Sequence, residues 1–281
     1  MSAVADAVSL SRQHLSTMQT ASGRRRRGRP PLPDDGLVAQ IRALIIDLPT
    51  YGYRRVHALL RRQAEKDGRA ATNPKRVYRV MKLHGLLLQR SATHRDERRH
   101  DGKVAVETRN TRWCSDGLEI GCDNGEKVRI AFALDCCDRE AMGYVATTGG
   151  ITASDVRDLM IATVEHRFGQ VNRLPHPIEW LTDNGSCYTA HETRRFARDI
   201  GLVPLTTPVE SPQSNGMAEA FVKTLKRDYA RVSSKPDAKS VLNQIPQWLD
   251  HYNHVHPHRS LGYRSPREFI NRSTTEKPSG L

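Results

Sequence analysis

This chain of 281 residues has no long apolar segment and no two cysteines at the spacing of a metal site. No apolar run reaches the roughly 20 residues that a membrane-spanning helix needs, so we expect no contact with a membrane. The five cysteines form no C-x-x-C pair and are odd in number, which argues against a zinc site and predicts reduced thiols within a core. Residues 1–18 lack a basic segment followed by an apolar one, so we expect no secretion signal and a cytoplasmic location.

Acidic charge is also scarce relative to basic charge. The 44 lysines and arginines exceed the 31 aspartates and glutamates, which leaves a net charge of +13. Residues 54–103 carry fifteen basic and five acidic side chains, residues 24–29 carry five arginines, and the rest of the chain is close to neutral. Positive charge concentrated in this way predicts a polyanionic partner, most simply DNA.

The first 33 residues are predicted to form a disordered basic arm. The segment Arg27-Gly28-Arg29-Pro30 is similar to the core of the AT-hook. In that motif, arginines in the positions of Arg27 and Arg29 lie in the narrow minor groove of A·T-rich DNA. The alternative is a solvated linker that touches phosphates without specificity.

Residues 34–90 are predicted to form a small all-α, helix-turn-helix-like DNA-binding domain. Three apolar patterns of helical period occur there, and Asn73-Pro74 supplies the cap and first residue of the third helix. The third helix carries the apolar set Val77, Tyr78, Val80, Met81 and Leu83. The basic residues expected to face mostly outward are Arg54, Arg55, Arg61, Arg62, Lys75, Arg76, Arg79 and Lys82. The alternative is a helical spacer with a solvated basic face, and the sequence leaves open which helix enters a groove of DNA.

Residues 91–110 are charged and lack apolar periodicity, which predicts a linker, whereas residues 111–272 are predicted to form one α/β domain. Alternating patterns predict strands over residues 113–122, 127–135 and 141–147, followed by a helix over 152–168. A strand, a helix and a strand follow over residues 178–182, 191–200 and 202–206, and further helices complete the domain. This order is that of the ribonuclease-H-like fold, a mixed sheet flanked by helices. Residues 273–281 are predicted to be a disordered tail.

Three carboxylates are distinguished by their positions. Asp183 comes at the C-terminal end of a predicted strand, where an α/β sheet places its active site. Glu219 lies in the first turn of a helix that Asn215 can cap, with thirty-five residues between it and Asp183, and Asp116 lies upstream on the first strand. Carboxylates from two strands and one helix supply the hard oxygen ligands that two Mg²⁺ ions require.

The motifs around these carboxylates resemble one known family. Trp-x-x-Asp ends at Asp116, Thr-Asp-Asn-Gly contains Asp183, and Ser-Pro-x-x-Asn-Gly-x-x-Glu ends at Glu219. Together they resemble the catalytic core of DDE transposases and retroviral integrases. The chain is most similar to the second-frame product of bacterial insertion sequences whose transposase is encoded in two overlapping frames, over about residues 34–272.

The resemblance implies a transposase that binds the terminal inverted repeats of its element, cuts or joins DNA ends, and transfers a 3′ hydroxyl onto a phosphodiester of target DNA. It also implies the first-frame product or a fused protein as a partner, and a homo-oligomer on DNA. The expected cofactors are two Mg²⁺ ions, with Mn²⁺ as a substitute, bridged by Asp116 and held individually by Asp183 and Glu219. Asp123, Asp135 and Asp138 compete for the place of Asp116, but the Trp-x-x-Asp context favours Asp116.

Lys223 and Lys226 share the helix face of Glu219 and are expected to hold phosphates near the scissile bond, with a surface ion pair as the alternative. Asn215 is equally well interpreted as a DNA contact or as the helix cap. The histidines at 254, 256 and 258 alternate, but neighbouring prolines and the lack of a nearby cysteine or acidic partner argue against zinc. Two rival functions stay open: a non-catalytic DNA-binding regulator, and a ribonuclease-H-like nuclease that cleaves without strand transfer.

Overall fold

The computed structural model describes residues 33–89, 105–207 and 216–275, together with Ser11 and Gln13. The chain divides into two compact units, Met1–Gly36 and Leu37–Leu281. Arg27 and Arg29 of the predicted basic arm, most of the predicted linker, and Asn215 lie outside the described residues.

Within residues 33–89, three helices precede the sheet: α1 (Asp35–Asp47), α2 (Tyr53–Lys66) and α3 (Pro74–Leu83). The side chain of Asn73 accepts a hydrogen bond from the Lys75 backbone amide at 2.8 Å, so the predicted cap is present. The helices enclose an apolar cluster whose buried members are Leu37, Ile41, Tyr51, Val56, Leu59, Leu60, Val77, Val80 and Met81. Within the apolar set of α3, Val77, Val80 and Met81 are buried, whereas Tyr78 and Leu83 are 38% and 76% exposed.

The sheet contains β1 (Arg112–Gly121), β2 (Lys127–Asp135), β3 (Ala141–Thr147), β4 (Ile178–Thr182) and β5 (Leu202–Thr206). Its strand order is β3-β2-β1-β4-β5, with β1, β2 and β3 antiparallel and β4 and β5 parallel to β1. Helix α4 (Ala153–Phe168) connects β3 to β4, and α5 (Ser186–Thr189) and α6 (His191–Asp199) connect β4 to β5. The predicted ribonuclease-H-like mixed sheet with flanking helices is confirmed.

Helices follow β5 after a gap in the described residues. Helix α7 (Gly216–Leu225) continues into a π-helical turn (Lys226–Ala230), and α8 (Ala238–His254) comes next. A 3₁₀ turn (Arg259–Leu261) and α9 (Pro266–Thr275) end the described chain. Helix α9 therefore extends beyond residue 273, where the disordered tail was predicted to begin. Among the described residues, no helix is both long and apolar enough to cross a membrane.

Apolar side chains cover both faces of the sheet because the strands contribute residues alternately to each side. Helices α7 and α8 pack on one face through a cluster that includes Phe132, Phe221 and Trp248. Helices α4 and α6 pack on the other face, where Trp113 and Trp180 lie edge to face with ring centroids 6.5 Å apart. The cysteines are free thiols. Cys114 and Cys136 are buried in the core, Cys122 and Cys187 are partly buried and pack against the two clusters, and Cys137 is partly buried outside them.

The three N-terminal helices pack against the C-terminal part of the chain through polar contacts. Arg55 Nη1 donates to Asp228 Oδ2 at 2.9 Å. Arg62 donates to the Val255 carbonyl oxygen at 2.6 Å and forms an ion pair with Glu268 at 2.6 Å. The expectation that the arginines of α2 face mostly outward was therefore wrong at Arg55 and Arg62, whose side chains are 22% and 12% exposed.

Candidate active site

Strand pairing brings Asp116 and Asp183 side by side. Strands β1 and β4 are parallel, with Trp113 opposite Trp180 and the following residues of each strand also paired. Continuing this register by two further residues places Asp116 beside Asp183, just after β4 ends. Because neighbouring strands lie about 4.8 Å apart, two side chains at one level of adjacent strands share a small region of surface.

Glu219 reaches the same region from helix α7, whose apolar side packs on the sheet. Phe221 of this helix contacts Phe132 on β2 with ring centroids 4.4 Å apart. Phe132 is the cross-strand partner of Asp116. The helix therefore lies over the sheet at the level of Asp116, and Glu219 projects from its first turn, where the helix dipole favours a carboxylate.

The electrostatics of Asp116 show that the three carboxylates act on one another. Burial is the main cause that raises the pKa of Asp116 from 3.8 to about 6, and the nearby negative charges of Asp183 and Glu219 contribute to the rise. A hydrogen bond from the Gly117 amide to Asp116 Oδ1, at 2.7 Å, opposes the rise in pKa. The charged form of Asp116 therefore costs free energy in the absence of a cation.

Backbone and side-chain hydrogen bonds hold the turn that follows β4. The Gly185 amide donates to Asp183 Oδ1 at 3.0 Å, which orients that carboxylate. Asn184 Nδ2 donates to the Thr207 carbonyl oxygen at 3.0 Å and so ties the turn to the residue after β5. These contacts are those of an Asp-Asn-Gly turn that holds its own carboxylate in place.

Sequence reasoning missed the short helix α5 and its Tyr188. The buried hydroxyl of Tyr188 is hydrogen-bonded to Ser115 Oγ at 3.0 Å, directly beside Asp116 in the chain. This contact joins the turn after β4 to strand β1 beneath the two aspartates. A helix of four residues is too short for apolar periodicity, so the sequence offered no signal for it.

Lys223 and Lys226 were predicted to share the face of Glu219. Lys223 Nζ forms an ion pair with Glu219 Oε2 at 3.3 Å, and the lysine side chain is 69% exposed. Lys226 is exposed and begins the π-helical turn. The Glu219 carboxylate is thus partly neutralised by a lysine that remains accessible to solvent.

The competing carboxylates near Asp116 have other partners. Asp135 and Asp138 are fully buried, and Arg167 Nη2 lies 2.8 Å from Asp138 Oδ2 and 3.7 Å from Asp135 Oδ2. Asp135 also accepts a hydrogen bond from Trp113 Nε1 at 3.2 Å. Asp123 is exposed in the turn between β1 and β2. Buried partners therefore give Asp135 and Asp138 a structural role.

The oxygen ligands fit a hard divalent cation by their chemistry, although they are not gathered into a complete site. No group of three or more His, Cys, Asp or Glu side chains within the described ranges lies close enough to hold a metal ion. Asp116, Asp183 and Glu219 are all oxygen donors. Burial first, and the negative charges of Asp183 and Glu219 second, raise the pKa of Asp116, and a bound cation would offset both effects.

The predicted DNA contacts of the helical unit lie in different surroundings. Arg54, Lys75 and Arg79 are exposed, and Arg76 is half-buried. Arg55 instead faces Asp228. The alternating histidines lie near this contact: His256 is buried and hydrogen-bonded to Tyr51 Oη at 2.8 Å. Burial lowers the pKa of both His256 and His258, the latter to about 3, so both rings are neutral.

Comparisons with known proteins agree with this arrangement. Two models described as "Integrase core domain" match residues 107–212 and 201–266, and a model described as "HTH-like domain" matches residues 33–93. The chain is 56% identical over 239 residues to "Transposase InsD for insertion element IS2A/D/F/H/I/K" of Escherichia coli. That alignment covers 84% of this chain and 79% of the relative.

A solved structure of a simian T-cell lymphotropic virus intasome in complex with PP2A regulatory subunit B56 gamma contains a chain of similar fold, with a TM-score of 0.50 and 14% identity. The alignment covers 86% of this chain and 76% of that chain, and at this identity it shows the fold alone. The family follows from the sequence relative, which is more than half identical over most of both proteins. The chain belongs to the insertion-element transposases, with an HTH-like DNA-binding domain ahead of an integrase core domain.

Proposed function

We propose that this transposase cuts and joins DNA through Asp116, Asp183 and Glu219, with two Mg²⁺ ions as cofactors and Mn²⁺ as a substitute ion. The observation that carries the proposal is the parallel register of β1 and β4, whose continuation by two residues sets Asp116 level with Asp183 just after β4. The charge of Glu219 acts on the same buried carboxylate, which supports its place as the third member.

The carboxylates have distinct roles in this proposal. When bound, the two ions supply activation of the attacking oxygen, stabilisation of the leaving 3′ oxygen and neutralisation of charge on the phosphate. The negative charges of Asp183 and Glu219 both act on Asp116. Asp116 would therefore contact both ions, with Asp183 on one and Glu219 on the other. The Gly185 amide keeps Asp183 oriented before any ion binds.

Lys223 and Lys226 hold phosphates beside the scissile bond. Lys223 is paired with Glu219 at 3.3 Å but exposed, so exchanging this carboxylate for a DNA phosphate requires no change in the core. Such an exchange would release Glu219 to a metal ion as Lys223 binds DNA. Substrate binding and metal binding would then favour each other through the same pair of side chains.

The terminal inverted repeats and target DNA are bound by the basic residues upstream. Lys75, Arg76 and Arg79 of α3, together with Arg54, supply the phosphate contacts, and Arg27 and Arg29 extend them along the minor groove. Asn215 contributes at the entrance of the site. Arg55, which faces Asp228, holds the helical unit against the core. We further propose that the chain acts as an oligomer on DNA, with the first-frame product or a fused form of it.

Two rival functions differ from this one in what the carboxylates do. A non-catalytic regulator would bind DNA through the helical unit and would have no use for a half-buried Asp116 whose ionised form is disfavoured. A nuclease without strand transfer would use the same carboxylates. Membership of the insertion-element transposases favours strand transfer over simple hydrolysis.

The test is cleavage of a labelled element end with Mg²⁺ by Asp116→Ala, Asp183→Ala and Glu219→Ala, with DNA binding measured in parallel. Each variant is expected to lose cleavage and to keep its affinity for DNA. The exposed Asp123→Ala serves as the matched control and should cleave like wild type. Full cleavage by any of the three variants would remove that residue from the proposed site.

A further inference from the structure

An open groove of about 1220 Å³ lies between the N-terminal helices and the C-terminal turn, and we name it the cationic groove. Its described lining includes six lysines and arginines and no carboxylate: Arg54, Arg55, Lys75, Arg139, Arg227 and Arg259. They come from α2, α3, the β2–β3 turn, the π-helical turn and the 3₁₀ turn. Cations from five separate elements therefore face one concave surface.

Part of this charge is already balanced. Asp228 lies behind the groove, and Arg55 and Arg227 bind it at 2.9 and 2.6 Å. Among the described residues, none of the other four cations has an ion-pair partner within 4.0 Å. The groove therefore keeps a strongly positive wall, as expected for a surface that receives a chain of anions.

Aromatic rings lie among these cations. Tyr53 and Tyr78 contact each other edge to face, with ring centroids 5.0 Å apart, and Tyr78 is 38% exposed. The Arg54 guanidinium lies over the Tyr53 ring, 5.5 Å from its centroid. Exposed aromatic and guanidinium planes between phosphate-binding cations are the features on which unpaired bases stack.

Two lining residues have backbone conformations that side chains rarely adopt. Arg139 and Tyr263 have φ values of 63° and 60°, in the left-handed region. The only other described non-glycine residue with positive φ is Asn110. Strained backbone persists where the surrounding structure enforces it, and it concentrates at functional sites. Both residues are thereby held at the wall of the groove.

The groove also approaches the candidate active site. Thr224 and Arg227 line it, and they follow Glu219 by five and eight residues along one continuous helical segment. At a rise of about 1.5 Å per residue, Thr224 lies about 8 Å along the helix axis from Glu219. A DNA strand leaving the three carboxylates is thus within a few nucleotides of the groove.

We propose that the cationic groove binds an unpaired DNA strand that adjoins the element end being processed. Its phosphates contact Arg139 and Arg259, and one base stacks on the Tyr53–Tyr78 pair. A single strand fits better than a duplex because duplex bases are already stacked on each other and offer the tyrosines no free face. The identity of the strand rests on the proposed function, whereas the binding of single-stranded DNA stands on the groove itself.

The test compares the full chain's affinity for a blunt duplex, the same duplex with a single-stranded overhang, and the overhang oligonucleotide alone, by fluorescence anisotropy at several salt concentrations. Tyr78→Ala is expected to weaken binding of the overhang oligonucleotide by about tenfold, and Tyr78→Phe, which keeps the ring, should bind it like wild type. Arg259→Ala should lower the slope of log affinity against log salt by about 0.7 for the single strand. The exposed Lys239→Ala, outside the groove, is the matched control and should change neither value.

Unchanged overhang affinity in both Tyr78→Ala and Arg259→Ala would overturn the proposal, as would equal losses in Lys239→Ala. The proposal would also be overturned if the wild type bound polyglutamate more tightly than single-stranded DNA and both groove variants lost this preference. That result would assign the groove to an acidic protein segment. Strand transfer by the same wild-type preparation, with the first-frame product supplied or fused, separates the two proposals. If strand transfer occurs but the groove variants bind single-stranded DNA like wild type, only the groove proposal is rejected. If the groove variants lose affinity but no strand transfer occurs, only the proposed reaction is rejected.

Discussion

Replacing Asp116 by asparagine should stabilise the metal-free protein while abolishing its chemistry. Burial and two neighbouring carboxylates raise the pKa of Asp116 to about 6, so its ionised form is disfavoured in the folded state. Asparagine has nearly the same shape and keeps an oxygen that can accept the hydrogen bond from the Gly117 amide. The substitution therefore removes the charge and preserves the packing.

The size and pH dependence of the effect follow from the pKa. The folded-state pKa of about 6 lies above the ordinary 3.8, so the folded protein binds more protons than the unfolded chain between these values. The contribution of Asp116 to wild-type stability therefore falls as the pH rises from about 4 to about 6. At about 1.4 kcal/mol per pKa unit, Asp116→Asn should be more stable than wild type by up to about 3 kcal/mol at pH 8 and by about half of that at pH 5.

Urea unfolding at pH 5 and pH 8 in the presence of a chelator measures this difference. The exposed Asp123→Asn controls for the loss of one negative charge and should match wild type at both pH values. Addition of Mg²⁺ should stabilise the wild type and should stabilise Asp116→Asn much less. The reasoning fails if Asp116→Asn is no more stable than wild type at pH 8, or if Asp123→Asn gains as much.

Three further substitutions test contacts around the site. Asp228→Ala removes a carboxylate shared by two arginines and should lower the free energy of unfolding by about 3 kcal/mol. The melting temperature should fall by roughly 6–12 °C, and a melting temperature equal to that of wild type would contradict the pairing. Lys223→Ala breaks an exposed ion pair with Glu219, so the free energy of unfolding should change by less than about 0.5 kcal/mol. The slope of log affinity for duplex DNA against log salt should fall by about 0.9, and an unchanged slope would argue against a phosphate contact. Gly185→Ala adds a methyl group 3.0 Å from Asp183 Oδ1. It should reduce strand transfer by about 100-fold and leave the melting temperature unchanged, because a small displacement of the carboxylate disturbs the chemistry. Undiminished transfer would show that this turn does not position Asp183.

The fold was predictable because its strands and helices have clear periods. Alternation identified β1, β2 and β3 within one or two residues of their ends, and the order of elements identified the ribonuclease-H-like sheet. Local sequence also specified the Asn73 cap of α3, since a capping side chain acts on the amide two residues away.

What the sequence did not reveal depends on contacts between residues distant in the chain. Arg55 and Asp228 are 173 positions apart, and no local pattern indicates that an arginine on a basic helix is committed to a buried carboxylate. The same holds for Arg167, which neutralises Asp135 and Asp138 and so gives two of the competing carboxylates a structural role. The exposure of Tyr78 likewise follows from how α3 packs, which no local pattern of the sequence specifies.

The sequence predicted which carboxylates form the candidate site, but it did not predict the raised pKa of Asp116. Motif spacing selected Asp116, Asp183 and Glu219, and strand register brings the first two to one level. The ion pair of Glu219 with Lys223 at 3.3 Å is a local i,i+4 contact and was the alternative offered for these lysines. The raised pKa of Asp116 depends instead on burial and on carboxylates distant in the chain, so the sequence did not indicate it.

Strand transfer in vitro tests the central claim most directly. The assay mixes wild type or Glu219→Gln with Mg²⁺, a labelled end of the host element and a target duplex, with the first-frame product supplied or fused. Glutamine keeps the size of the side chain and removes its charge. We expect joined product from wild type alone, with equal DNA binding by both proteins. Joined product in equal yield from Glu219→Gln would contradict the assignment of Glu219 and, with it, the three-carboxylate mechanism.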